Sequence, residues 1–235
     1  MTIGSRYLVV NADDFGRSPA INEGVIQAHE RGIVTSASLM VRWRDADAAA
    51  AYARSSALAV GLHVDLGEWT VRDGEWSGVY TVVELTDERA VRNEIEHQLE
   101  KFRSLCGRDP THLDSHQHLH LTERITGDIL EALAAELGIP LRGRSSVEYC
   151  GAFYGQERDG APARREIGKK RLIELVRSVP PGATELGCHP ATRHDTDSMY
   201  GVERAFELRA LCDPDVKRAV DEAAVRLVSF ANVPR

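Results

Sequence analysis

The chain has 235 residues, of which 43% are hydrophobic and 28% charged, and its formal net charge is −7. These proportions are typical of a globular protein with enough apolar material for a substantial core. A mildly acidic chain without a basic cluster binds nucleic acids and anionic membranes poorly, so we expect neither as a partner.

The chain also lacks the long apolar stretches of membrane and secreted proteins. Its N-terminal apolar run is too short for a signal-peptide core, and no segment approaches the roughly 18 apolar residues of a membrane span. We therefore expect a cytoplasmic protein. The cysteines are widely spaced, which favours reduced thiols over a disulfide framework: Cys106, Cys150, Cys188 and Cys212.

Strand and helix patterns alternate through the first third of the chain. The first strand is Tyr7–Asn11, nearly all apolar, as expected of a strand buried on both faces. A serine cap and a first-turn proline at Ser18–Pro19 begin a helix that ends at Gly32. The next predicted elements are a strand at Ser36–Val41, a helix at Asp45–Arg54, a strand at Ala59–His63 and a loop from Val64 to about Leu85.

The same alternation continues to the C-terminus. Thr86 caps a long helix with an apolar stripe, and Thr122 caps another that Gly138 ends. The predicted strands are Thr111–Ser115, Leu141–Arg144, Thr184–His189 and Arg226–Phe230. The predicted helices are Arg164–Ser178, Val202–Leu211 and Pro214–Ala224, with irregular chain at Ser145–Ala163 and a loop up to Tyr200.

Repeated strand–helix units predict parallel strands joined by right-handed crossovers. About seven strands over this length favour an α/β fold, a single-domain (β/α) barrel that is TIM-like and incomplete and spans residues 1–235. A doubly wound open sheet is the alternative.

Acidic and imidazole residues follow four of the predicted strands. In a barrel the carboxyl ends of the strands share one face, where active sites are built. Asp14, His63 and His116 together would supply one carboxylate and two imidazoles, a set that leaves positions open on a catalytic metal. A turn aspartate and an ordinary barrel histidine are the alternatives for Asp14 and His63.

The run Asp114-Ser115-His116-Gln117-His118-Leu119-His120 is the most informative cluster. We expect its three histidines to point to one side of an extended segment. Burying them together without partners would be costly, which favours a metal site. His118 and His120 are expected to support the ligands or to contact substrate.

The sequence resembles the YdjC-like carbohydrate deacetylases, the chitooligosaccharide deacetylase group, and more distantly the NodB-type polysaccharide deacetylases. The stretches that carry the resemblance are NADDFG (11–16), GIVTSASLMV (32–41), VGLHVDL (60–66), PTHLDSHQHLH (110–120), AFYG (152–155) and CHP (188–190). The residues between Gly67 and Tyr80 are fewer than in the chitooligosaccharide enzymes, and loops at this face shape the substrate pocket.

This resemblance implies a (β/α) barrel that binds a divalent metal through Asp14, His63 and His116. It further implies Asp13 as the base and His189 as the acid in hydrolysis of an N-acetyl group from an amino sugar or short oligosaccharide. The family is usually described with Mg²⁺, whereas two imidazoles and a carboxylate suit Zn²⁺ or another transition metal better.

Further residues are assigned supporting roles, each with an alternative. Asp114 is expected to orient a ligand imidazole. Arg142 and Tyr154 are candidates for substrate contact, with a surface salt bridge and a packing tyrosine as alternatives. Trp69 and Trp76 are candidates for stacking on a sugar or for covering the core.

Two other functions fit the same residues. One is a metal-dependent amidohydrolase or isomerase that acts on a non-sugar or non-acetylated substrate. The other is a catalytically silent metal- or sugar-binding protein. Because barrel enzymes often self-associate, a homo-oligomer is a further expectation.

Overall fold

The computed structural model describes residues 4–72, 74–157, 160–194 and 200–234. Within them the strands are β1 (Arg6–Phe15), β2 (Ser36–Leu39), β3 (Ala59–Val64), β4 (Gly67–Arg72), β5 (Glu75–Thr81), β6 (Leu113–Ser115), β7 (Val147–Cys150), β8 (Gly182–Cys188) and β9 (Val225–Leu227). The helices are α1 (Pro19–Arg31), α2 (Ala46–Ser55), α3 (Glu88–Cys106), α4 (Leu119–Thr122), α5 (Arg124–Leu137), α6 (Lys169–Ser178), α7 (Val202–Leu211) and α8 (Pro214–Glu222), with 3₁₀ turns at His116–His118 and Arg164–Ile167.

Seven of the strands form one parallel sheet in the order β6-β3-β2-β1-β8-β7, with β9 also paired to β1. The sheet curls into an incomplete (β/α) barrel, which confirms the predicted fold class and strand number. From Leu8 onward every residue of β1 is buried, because this central strand is covered on both faces.

Local signals place the helices that surround the sheet. The Ser18 hydroxyl accepts a hydrogen bond from the amide of Ile21 at 3.3 Å, and Pro19 is the first residue of α1, as the sequence predicts. Gly138 ends α5 in the left-handed conformation. Among the described residues, no helix combines the length and apolarity needed to cross a membrane.

The residues that directly precede α3 and α5 are Asp87 and Glu123, so the predicted caps at Thr86 and Thr122 are wrong. Three predicted segments also differ from the structure. The predicted loop between Val64 and Leu85 contains the antiparallel hairpin β4–β5. Leu141–Arg144 is not a strand, because only Leu141 forms an isolated bridge, to Leu113. The strand lies instead at β7, inside the stretch predicted as irregular, and the loop predicted before Tyr200 lies partly outside the described residues.

Candidate metal centre and pocket

The carboxyl ends of four parallel strands bring the acidic and imidazole side chains together. Strand β1 supplies two adjacent aspartates, strand β3 supplies a histidine, and strand β6 supplies an aspartate. A histidine directly follows β6, and another directly follows β8. All are buried except the last, which is partly exposed: Asp13, Asp14, His63, Asp114, His116 and His189.

A bulge near the end of β1 explains how two consecutive aspartates enter one site. Side chains of successive strand residues normally point to opposite faces. Here the pairing with β2 changes register between Ala12 and Phe15, and Asp14 has a left-handed backbone with φ of 64°. A bulge re-aims a side chain in this way, so Asp13 and Asp14 both face the site.

Asp14, His63 and His116 could hold a metal ion. Asp14 Oδ1 lies 3.2 Å from His116 Nδ1 and 3.6 Å from His63 Nε2. Within the described chain this oxygen is buried and has no hydrogen-bond partner. Since a buried carboxylate oxygen without a partner is costly, these three atoms fit a cation with open coordination positions.

A second group of Asp13, His63 and Asp114 has similar spacing. Its carboxylates are already bound, because Arg142 donates to both oxygens of Asp13 at 2.7 Å and lies 2.8 Å from Asp114. Asp114 also accepts from the Ser38 hydroxyl at 2.7 Å. The free ligand atoms are therefore those of the group that contains Asp14.

Asp114 lies where the sequence predicts a residue that orients an imidazole. Its Oδ1 accepts from His63 Nδ1 at 2.7 Å, which leaves His63 Nε2 to face Asp14. Burial lowers the pKa of His63, but the Asp114 carboxylate, with smaller contributions from Asp14 and Asp13, raises that pKa to about 10. A cation at Nε2 therefore has to displace a proton.

Arg142 is wholly buried beneath the site, so the predicted surface salt bridge is wrong for this residue. Its guanidinium pairs with Asp13, with Asp114 and, at 2.6 Å, with Glu185. Burial raises the pKa of Asp13, but the charge and hydrogen bonds of Arg142 outweigh burial and lower the pKa below its ordinary value. The Asp13 carboxylate is therefore ionised at neutral pH. For Glu185 burial outweighs Arg142 and raises the pKa to about 7.

His189 follows β8 and faces Asp13, with 3.8 Å between Nε2 and Asp13 Oδ2. Burial lowers the pKa of His189 to about 4, so its imidazole is neutral at pH 7. The His189 imidazole can donate a second proton that it gains during a reaction, but it does not carry that second proton beforehand.

The histidine run does not form the extended segment that the sequence predicts. Gln117 and His118 have left-handed backbones, with φ of 51° and 56°, and the chain turns into α4. The three imidazoles therefore contact different partners. His118 lines the pocket and lies 3.2 Å from the Tyr149 hydroxyl, whereas buried His120 bonds Ser115 at 2.7 Å and does not reach the pocket.

Tyr154 lines the pocket beside His189, with ring centroids 5.5 Å apart. Its ring stacks on Tyr200 with centroids 4.6 Å apart, and its side chain remains partly exposed. Tyr154 is therefore available to substrate and also packs against a neighbour, so both sequence-based interpretations describe part of its environment.

Helix α7 contributes two buried residues that the sequence reasoning missed. Arg204 donates to Asp14 Oδ2, the second oxygen of the candidate ligand. Glu207 accepts from the backbone N–H of His189 and from the Tyr200 hydroxyl. The available sequence signal was only a pair of opposite charges three positions apart on the predicted helix, because its buried face is known from the structure alone.

The site opens into a cavity of about 1120 Å³. The three candidate metal ligands line its buried part, and Trp69, Trp76 and Tyr154 are among its aromatic walls. A mostly apolar cavity with convergent polar groups is typical of a small-molecule site.

A family model described as YdjC-like protein matches residues 7–222. A chitooligosaccharide deacetylase of Serratia marcescens is 32% identical, and the alignment covers 97% of this chain and 99% of that protein. The alignment runs over 268 residues, more than this chain contains, so that relative carries segments that are absent here.

Solved structures share the fold. A protein from Enterococcus faecalis that is named for cellobiose-phosphate cleavage has a TM-score of 0.77 and 27% identity, and the match covers 96% of this chain and 98% of that one. A family 4 carbohydrate esterase from Streptomyces lividans, solved in complex with acetate, has a TM-score of 0.57 and 13% identity, over 95% and 92% of the two chains.

Proposed function

We propose, from the premise that this chain belongs to the YdjC-like family, that it is a metal-dependent carbohydrate N-deacetylase. Its substrate is an acetylated amino sugar or short oligosaccharide, and its products are acetate and the free amine. A relative that matches nearly the whole chain is named a chitooligosaccharide deacetylase, which supports carbohydrate deacetylation as the coarser statement.

One observation carries the proposal. Three side chains from distant segments, Asp14, His63 and His116, approach one another in the buried part of the pocket, with an unpartnered carboxylate oxygen between the imidazoles. A structural site would use four protein ligands, whereas three leave room for water and substrate. A divalent cation held there would supply a Lewis acid for the attacking water and for the acetamide carbonyl.

The donor set bears on the choice of metal. Two imidazole nitrogens and one carboxylate oxygen suit Zn²⁺ or another transition metal, while Mg²⁺ prefers oxygen ligands and water. The family resemblance favours Mg²⁺. Reconstitution with each ion separately decides between them.

Asp13 serves as the base that accepts a proton from the attacking water. Its carboxylate is ionised at neutral pH because Arg142 lowers its pKa against the effect of burial. The two hydrogen bonds from Arg142 also fix its orientation toward the pocket, where Asp13 is a lining residue. Fixed orientation is what a base needs to meet a water in productive geometry.

His189 delivers a proton to the departing amine, which is otherwise a poor leaving group. Its imidazole is neutral at rest because burial lowers its pKa. It therefore has to gain a proton within each turnover, and Asp13 lies 3.8 Å away on the side that receives one from water. One proton thus passes from water to the amine through two residues of this chain.

An acetate-release screen tests the proposal. The chelated protein, reconstituted with Zn²⁺, Mg²⁺, Mn²⁺ or Co²⁺, is incubated with N-acetylglucosamine, N,N′-diacetylchitobiose, N-acetylgalactosamine and acetylated non-sugar amines. We expect acetate from at least one sugar and none after chelation. Release only from non-sugar amines favours the amidohydrolase alternative, and no release from any compound contradicts deacetylation.

A further inference from the structure

The hairpin β4–β5 forms a wall of the pocket and carries aromatic side chains that the proposed reaction does not use. Trp69 and Trp76 both line the cavity. The Trp76 side chain is 64% exposed, the largest exposure among the large hydrophobic residues that the structure describes. Aromatic side chains that line a pocket are typical contacts for a bound ligand.

The pairing of the two strands puts both rings on one face of the hairpin. Trp69 pairs directly with Gly78, and Val71 pairs with Trp76. Directly paired residues of antiparallel strands lie on the same face, as do residues two apart on one strand. Trp69 and Trp76 are therefore diagonal neighbours, and Gly78 puts no side chain opposite Trp69.

The hairpin is attached firmly to the metal centre. Gln117, the residue after His116, accepts a hydrogen bond from the backbone N–H of Trp69 at 2.9 Å and donates one to its carbonyl at 2.7 Å. At the base of β4, Glu68 pairs with Arg17 at 2.7 Å, and both are buried. A face held in this way is preorganised relative to the reacting position.

The size of the cavity exceeds the need of one sugar ring. At about 1120 Å³ it is larger than the roughly 300–1,000 Å³ that encloses a drug-sized molecule. The ring that reacts has to lie against Asp14, His63 and His116, in the buried part. The exposed ring of Trp76 is thus placed for a ring further out, whose apolar face stacks on an aromatic side chain.

We propose that Trp76, on the hairpin face that it shares with Trp69, is the stacking platform for a second sugar ring. This inference rests on the proposed function and deepens it, because it assigns recognition of the second ring to a particular residue of this chain. A monosaccharide reaches the metal centre but leaves the platform empty.

The test compares Trp76→Ala with Trp76→Phe, which keeps a ring, and with Val79→Ala, another exposed apolar position of β5. One arm measures kcat/KM for acetate release from N,N′-diacetylchitobiose and from N-acetylglucosamine. The other measures equilibrium binding of the deacetylated products, the β-1,4-linked glucosamine disaccharide and glucosamine, which requires no turnover.

For the disaccharide, we expect Trp76→Ala to lower kcat/KM and to weaken product binding, each about 2- to 12-fold, which is the contribution of an aromatic stacking contact. For the monosaccharide, we expect kcat/KM and product binding to stay unchanged. Trp76→Phe recovers most of the loss, and Val79→Ala behaves as the wild type. If the wild type releases no acetate but Trp76→Ala still selectively weakens disaccharide binding, the stacking role of Trp76 is supported and the proposed deacetylase activity is contradicted.

If Trp76→Ala changes kcat/KM and product binding equally for the disaccharide and the monosaccharide, or changes neither, the stacking role of Trp76 is contradicted even when the wild type releases acetate. Sedimentation of the variants gives a further check. A change in molecular mass in Trp76→Ala together with equal losses on both sugars makes Trp76 an interface residue and also overturns the inference.

Discussion

Adjacent aspartates with the same chemistry have different environments in this site. Asp14 keeps one oxygen without a hydrogen-bond partner, next to two imidazoles, whereas Asp13 receives two hydrogen bonds from buried Arg142. The first environment suits a metal ligand and the second an oriented carboxylate. The bulge in β1 that lets both side chains face one pocket therefore also gives them separate environments.

Asp13→Asn removes the charge of the proposed base and retains its size. We expect kcat to fall about 10²- to 10⁴-fold, the usual worth of a general base, while the metal stays bound because Asp13 is not in the ligand group. The measurements are acetate release and metal content. Asp47→Asn, at an exposed position of α2, is the matched control. Near-normal turnover in Asp13→Asn removes this residue from the mechanism.

Glu185 gives the molecule a pH-dependent stability. Its pKa rises from 4.5 to about 7 on folding, chiefly through burial, so the folded chain keeps a proton that the unfolded chain loses. The stabilisation is fully present below pH 4.5 and is lost as the pH rises through 7. It amounts to about 3 kcal/mol at most.

Glu185→Gln mimics the protonated carboxyl and tests this dependence. We expect the free energy of unfolding, measured with urea at pH 5 and at pH 8, to fall less for Glu185→Gln than for the wild type. Glu96→Gln, on the exposed side of α3, should follow the wild type. Identical falls for Glu185→Gln and the wild type mean that Glu185 is ionised in the folded protein at both pH values.

The position of residues after strands allowed most of the site to be anticipated from sequence. Asp14, His63 and His116 each lie at or just beyond a strand end, and parallel strands fix which ends meet. Arg204 and Glu207 could not be found in this way. They reach the site from a late helix, and which face of that helix packs on the barrel depends on tertiary structure.

At the scale of elements, two errors have local physical causes. The sequence predicts a loop at the hairpin β4–β5 because its tryptophans and glycines obscure the alternation of apolar and polar residues that is typical of strands. The pair Asp73-Gly74 in the sequence is nevertheless typical of a tight turn. Gly74 has φ of 82°, as such a turn requires. The histidine run was predicted as extended because left-handed backbones at Gln117 and His118 leave little trace in sequence.

Gln117→Ala tests whether one side chain holds the hairpin to the candidate metal centre. Loss of its two hydrogen bonds to Trp69 should speed amide hydrogen exchange in β4 and β5 and leave exchange in β1 unchanged. Ser77→Ala, which removes a 3.5 Å contact within the hairpin, is the control and should have little effect. Unchanged exchange in Gln117→Ala shows that other contacts position the hairpin.

For the whole molecule, the parallel sheet determines where chemistry can occur. Seven parallel strands direct their carboxyl ends to one edge, and the buried acids, imidazoles and guanidinium collect there. Charges buried so deeply are tolerated because they are paired, as Arg142 is with three carboxylates. Asp14 Oδ1 is one of the buried atoms of this network that have no hydrogen-bond partner, and the proposed cation would bind it.

The most direct test of the proposed metal centre is to measure the metal content of the purified protein after dialysis against each ion. The wild type should retain one divalent ion per chain, and Asp14→Ala, His63→Ala and His116→Ala should each lose it. His97→Ala, at an exposed position of α3, should retain it. Full occupancy in any of the three ligand variants would contradict the assignment of that residue, and full occupancy in all three would contradict the metal centre itself.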